Sequence, residues 1–443
     1  MPTGAKDFTR GKIFQPLIRL AMPIMATSFV QMAYNLTDMA WIGRLGAESV
    51  AAIGTVGMIT WITSSFAMLS KVAAEVSIGQ ALGAKKGREA MAFASHTTTL
   101  SLLISLVVGA MLFFKADFIL SFFKLSQHIS CIAVEYLKII SAATPFSFII
   151  LNFMGIYNGA GRSNIPFYLV SLGLVFNMLL DPLLIFGING LLEGMGVKGA
   201  AIATWISQGL VMALLIFRLR RKDGILNRFR FIVRLRGSLT LRIFRLGFPI
   251  AIMTLFFATV NTWLVRIASI KGGYLGVTTQ TTGGQIEAIT WSTSQGFSTA
   301  LGAFVAQNFA AGKMSRAWMA YRYTLAALLS LGLIITVAFI FFGEQIFGVI
   351  IPENDAAKAG GHYLFVMGFA QIFVMLELTT QGMFNGMGRT MPPAIVSIIL
   401  NLARIPLALF LSSIMGISGV WCAIAISSII KGIALPIWLM KKK

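Results

Sequence analysis

Apolar stretches of about 18 residues or more are long enough to cross a bilayer as helices, and in this chain they recur from one end to the other. That single property restricts the fold to a bundle of membrane-spanning helices. In hydrocarbon every backbone N–H and C=O must be satisfied within the protein, and a helix does this inside one segment. The expected spans of the first half are Leu17–Ile42, Val50–Gly79, Met91–Phe114, Ser130–Tyr157, Ile165–Phe186 and Gly199–Phe217. Those of the second half are Leu246–Ile270, Gln285–Phe309, Ala317–Phe342, Tyr363–Phe384, Ala394–Ile414 and Val420–Leu439. The fold class read from this pattern is an all-α polytopic membrane protein of twelve transmembrane helices. Of its 443 residues, 57% are hydrophobic and only 12% charged, so no stretch is left for a sizeable soluble domain. The opening MPTGAKDFTRGK has no short apolar core followed by a small-residue cleavage site, so the first span is expected to be retained.

A net charge of +21 raises the question of nucleic acid. The geography of the cations answers it. They gather at both ends, in Lys85, Lys86 and Arg88, around Lys313 and Arg316, and above all in Arg218–Arg245 between spans six and seven, whereas the alternate loops hold few. That is the positive-inside pattern, which puts both termini and the central loop in the cytoplasm of a cell with a plasma (inner) membrane. The partners expected are small-molecule substrates and membrane lipids, with no nucleic acid, and the expected state is a monomer. Two cysteines, Cys131 and Cys422, and three scattered histidines offer neither a disulfide framework nor metal-ligand spacing. No phosphate-binding Gly-rich loop ending in Lys-Ser/Thr is present, so no ATPase motor is expected and no cofactor other than a coupling ion.

The second half repeats the first. Arg19-Leu20-Ala21-Met22-Pro23-Ile24 returns as Arg245-Leu246-Gly247-Phe248-Pro249-Ile250, and Gly155 to Ser163 returns as Gly382 to Thr390. Six helices per copy is an even number, so the copies should run in the same direction and be related by a pseudo-twofold axis along the membrane normal. The expected division is an N-terminal six-helix lobe over 1–217, a basic linker over 218–245 and a C-terminal six-helix lobe over 246–443.

Ionisable groups inside hydrocarbon are costly and usually functional. Asp38 lies 19 residues beyond Arg19 and Asp181 lies 19 beyond Arg162, each arginine being at a cytoplasmic helix start. At 1.5 Å per residue both carboxylates sit about 28 Å along their helices, at one level. Asn177 is one turn before Asp181 on the same face, and Thr204, one to two turns into the sixth span, can meet them. Pro182 leaves the carbonyl of Met178 without its usual donor. Carboxylate, amide, hydroxyl and carbonyl oxygens are what a hard cation prefers, so Asp38, Asn177, Asp181 and Thr204 are candidate Na⁺ ligands; the alternative is that Asp181-Pro182 merely ends or kinks a helix and Asp38 caps an outer terminus. In the repeat Asp38 maps near Leu264. Asp181 maps near Ile405, within an Asn401…Pro406 frame like that of Asn177…Pro182, so charge chemistry is expected in the first lobe alone. Lys71 and Glu75, four apart in span two, are expected to neutralise each other. Glu287 and Glu377 either meet a cationic substrate, or each sits near a helix end or hydrogen-bonds to a neighbour.

Taken together, Pro23…Gln31…Tyr34…Asp38, Gln80-Ala81-Leu82-Gly83-Ala84-Lys85, Asn158-Gly159-Ala160-Gly161-Arg162, Asn177…Asp181-Pro182 and Gly199-Ala200-Ala201-Ile202-Ala203-Thr204 resemble the multidrug and toxic compound extrusion (MATE) family. The resemblance implies a two-lobed secondary antiporter that exports amphipathic, often cationic compounds in exchange for Na⁺ or H⁺. It also implies a first-lobe cation site of Asp38, Asn177, Asp181, Thr204 and the backbone of Ala200. Gln31, Tyr34, Pro23, Pro182, Glu287 and Glu377 are the candidates for the substrate cavity or gating. Span seven departs from some family branches in carrying no acid, having Asn261 and Arg266 instead. A flippase for a lipid-linked precursor is the alternative. A membrane-embedded enzyme would need a nucleophile, metal set or acid/base constellation that the sequence does not display.

Overall fold

A computed structural model describes residues 5–188, 192–222 and 229–441. The helices are α1 (Phe14–Gly43), α2 (Ala47–Gly83), α3 (Gly87–Phe114), the short α4 (Ala116–Ser121), α5 (Gln127–Gly159), α6 (Asn164–Phe186), α7 (Val197–Lys222), α8 (Gly237–Ala310), α9 (Met314–Ile350), α10 (Asn354–Gly386), α11 (Met391–Met415) and α12 (Ile417–Lys441). Among the described residues the only strands are β1 (Gly187–Ile188) and β2 (Leu192–Glu193), a minimal antiparallel pair after α6.

Among the described residues, eleven helices are long and apolar enough to cross a membrane. The 74 residues of α8 supply two crossings, so the spans number twelve. A straight helix of that length would measure about 110 Å, several times the hydrocarbon thickness. Two helices meet across a kink at Gly273, whose φ of 58° and ψ of −146° only glycine adopts cheaply. The loop expected between spans seven and eight is therefore helical on either side of one residue. Between Pro249 and Pro352 no proline interrupts the chain, and Thr281 satisfies its hydroxyl on the Val277 carbonyl within the helix. Every predicted span lies inside a helix, and the helices run past them because hydropathy marks where lipid ends, not where backbone hydrogen bonding ends.

The chain divides into two compact units, residues 26–251 with 5–7, and residues 8–25 with 252–441. The division falls inside α1 two residues after Pro23 and inside α8 two residues after Pro249. In the first unit α8 begins against α2, α3 and α5: Ile243 and Leu246 are buried with Ala73, Ala74, Phe93 and Phe153. In the second, Phe8, Leu17, Leu20 and Ala21 are buried with Phe304, Tyr321 and Phe384. The linker predicted over 218–245 is helical at both ends, belonging to α7 and α8, and residues 223–228 lie outside the described part. Residues 229–236 are not helical. They lie along α3, where the N–H groups of Arg230, Val233 and Arg236 donate to Ser95, Thr99 and His96.

The repeat reappears as geometry. A Cβ on Gly155 would stand 2.2 Å from the Lys71 carbonyl oxygen and one on Gly159 2.5 Å from that of Glu75. In the second unit Gly382 faces Ser298 O at 2.4 Å and Gly386 faces Gly302 O at 2.5 Å. All four pairs keep the same offset of 227. Absence of a side chain lets these helix backbones touch, the usual device where lipid gives no hydrophobic drive for helix association. The turns that follow match too: Gly161 and Gly388 both have φ 76°, with Arg162 N–H bonded to Tyr157 O at 2.8 Å and Arg389 N–H to Phe384 O at 2.9 Å. Both are left-handed helix terminations, which favour glycine.

Candidate ion site in the first unit

Asn177 and Asp181 lie one turn apart on the buried stripe of α6, and the Asn177 amide donates to Asp181 Oδ1 at 2.9 Å. Asp181 is fully buried. The helix continues past Pro182 to Phe186, so Asp181-Pro182 does not end it. From α1, Asp38 comes within electrostatic reach of Asp181. One turn before it, the Tyr34 hydroxyl meets Thr204 Oγ1 of α7 at 3.3 Å. Buried Tyr136 of α5 feels both carboxylates. Ala200 is buried one turn before Thr204.

Asp38 Oδ1 and Asp181 Oδ2 are buried without a hydrogen-bond partner. A buried ionised carboxylate carries a desolvation cost of several kcal/mol that only a counter-charge or further hydrogen bonds offset. Here the charged group acting on Asp181 is another carboxylate, that of Asp38. Two buried carboxylates so placed repel each other. Asn177 carries an amide oxygen besides the N–H it gives to Asp181, and Thr204 carries a hydroxyl that meets Tyr34. The donor set is oxygen throughout and fits a hard cation.

Other candidates lie elsewhere. Gln31 is exposed and donates to Asn35 at 3.5 Å. Pro23 belongs to the second unit's stretch of α1. Lys71 and Glu75 act on each other electrostatically, while Glu75 hydrogen-bonds to Asn158.

The second unit corrects the expectation that charge chemistry is confined to the first. Glu377 of α10 accepts from Lys431 Nζ of α12 at 3.1 Å and from Ser397 of α11 at 3.0 Å. Glu287 of α8 accepts from the Tyr363 hydroxyl and from Gln371 at 3.5 Å, and Gln371 in turn accepts from Thr290 at 3.0 Å. Arg404 of α11, 4% exposed, donates to Ser427 and, at 2.9 Å, to Ser428, both on α12, within electrostatic reach of Glu287 and Glu377. Both glutamates are thus hydrogen-bonded to neighbours. Arg404 and Lys431 stand in the sequence as cations deep in apolar spans, a signal as plain as that of the buried acids.

The MatE family model matches residues 23–183 and 249–410. Among curated proteins the chain is 26% identical to a probable multidrug resistance protein NorM of Thermotoga maritima, over 93% of this chain and 88% of that one. It is 24% identical to an FAD transporter of Shewanella oneidensis, over 94% and 92% respectively. Among solved structures it matches the outward-facing conformation of a multidrug resistance MATE family transporter of the MOP superfamily. The TM-score is 0.91 at 22% identity, covering 98% of this chain and 97% of that one. With one family pattern matched separately on each copy of the internal repeat, the chain belongs to the MatE family of multidrug and toxic compound extrusion transporters.

Proposed function

We propose that this protein is an antiporter exporting small amphipathic, cationic or drug-like compounds in exchange for Na⁺ or H⁺, with the coupling ion held by Asp38, Asn177, Asp181 and Thr204. The observation that carries the reading is the pair of buried, unpartnered carboxylate oxygens on Asp38 and Asp181. An ion arriving there removes charge from the first unit and favours a different packing of α1 and α6, each of which contains a proline. Substrate and ion prefer opposite states, and that difference in preference is what couples them. The loop-charge asymmetry supports cytoplasmic termini in this cycle.

The test is uptake of fluorescent cations into inverted membrane vesicles containing the protein, with Na⁺ and pH gradients imposed separately. One gradient should drive uptake, and collapsing it should stop uptake. Equal uptake with no gradient of either ion would contradict exchange. The FAD transporter relative makes an acidic dinucleotide a useful member of the panel.

A further inference from the structure

The offset between the copies of the repeat can be carried through α6 and α11, because each helix leaves its matched glycine turn and runs on uninterrupted. The buried residues agree. Ile165, Pro166, Val170, Asn177, Asp181 and Ile185 fall 227 before Pro392, Pro393, Ser397, Arg404, Ala408 and Ser412, all of them buried. The Asn401…Pro406 frame, which suggested an offset of 224, therefore does not mark equivalent places. Asn177 corresponds to Arg404, and Asp181 to Ala408.

Where the first unit has an ion ligand, the second has a cation. The first unit's site holds two acids with no basic partner among the described residues and an orphaned oxygen on each. The second unit's holds Glu287 and Glu377 with Arg404 and Lys431, and among the described residues no carboxylate oxygen of that pair is orphaned. Lys431 is spent on Glu377. Arg404 makes its two bonds to neutral serines and contributes its charge to the group as a whole.

We propose that the Arg404 guanidinium is a tethered cation filling the place that a mobile ion takes in the first unit, so that the protein binds one coupling ion rather than two. The proposal rests on the reading of Asp38 and Asp181 as the ion site. Arg404→Asn then restores an oxygen ligand like Asn177 beside Glu287, near the buried and unpartnered Asn401 Oδ1. It should create a second site. A purely structural brace would give loss of stability and no new binding.

The experiment counts Na⁺ ions bound and protons taken up on acidification by the purified full chain in detergent. Relative to the wild type, Arg404→Asn should gain one cation, Arg404→Lys none, and Asp181→Asn should lose one. The double variant Asp181→Asn/Arg404→Asn should return to the wild-type count. A folded Arg404→Asn with the wild-type count overturns the proposal and leaves the first site standing. An Asp181→Asn count equal to the wild type overturns the first site instead. If Arg404→Asn does not fold, Glu287→Gln/Arg404→Asn, which removes one charge of each sign, should fold and keep the wild-type count. Misfolding of that pair, or a gained cation in it, contradicts the assignment.

Discussion

At the residue scale, behaviour depends on which buried charges have partners. Glu377 and Lys431 neutralise each other in a dry setting, so truncating one strands the other. Glu377→Ala should cost about 3–5 kcal/mol of stability, whereas Glu377→Leu/Lys431→Leu should restore most of it. Thermal unfolding in detergent, run as a double-mutant cycle, reads the difference. The Tyr34 contact is a milder case: Tyr34→Phe removes one hydrogen bond to Thr204, worth about 1 kcal/mol. The fold should survive while ion dependence of transport weakens, which vesicle uptake against ion concentration measures. Asp38, Asn177 and Asp181 were legible in the sequence because acids in apolar helices are rare and an i, i+4 spacing fixes a shared face. Tyr136 was not, since a tyrosine in a membrane helix carries no signal until packing brings it to the acids. For Glu287, Glu377, Arg404 and Lys431 the residues could be seen but the pairing could not, as it depends on how α8, α10, α11 and α12 meet.

The same division holds for elements. All twelve crossings and the repeat could be read from apolar length and from matched motifs at one offset. Two things could not. Hydropathy placed a loop after span seven where the backbone stays helical up to Gly273 and resumes after it, and it gave no sign that Phe229 to Arg236 would lie on α3. The glycine contacts make a testable pair. Gly155→Val and Gly382→Val each push a side chain into a carbonyl of a facing helix, so both should destabilise by about 1–3 kcal/mol or more, to similar extents because the geometry repeats. Detergent melting curves in which only one of the two is affected would contradict the structural equivalence. Gly273→Ala should cost about 1–3 kcal/mol through backbone strain alone, with ion binding intact.

For the whole molecule, the proposed ion site, the repeated frame and the unequal charges together give two units alike in scaffold and, on that proposal, different in work. Asn177→Ala should therefore weaken ion coupling far more than Asn401→Ala, although both asparagines are buried. Orientation is checked by a cysteine at Asn227, in the basic segment outside the described residues, which should react with a membrane-impermeant reagent from the inside only. The central claim, that the ion gradient acts through the two acids of the first unit, is tested by comparing ion-driven efflux of wild type, Asp38→Asn and Asp181→Asn in vesicles of matched protein content. Removing a buried unpaired charge need not destabilise the fold, so both variants should be present and folded yet fail to export under a gradient that drives the wild type. Export at the wild-type rate by either variant would contradict the role given to that carboxylate.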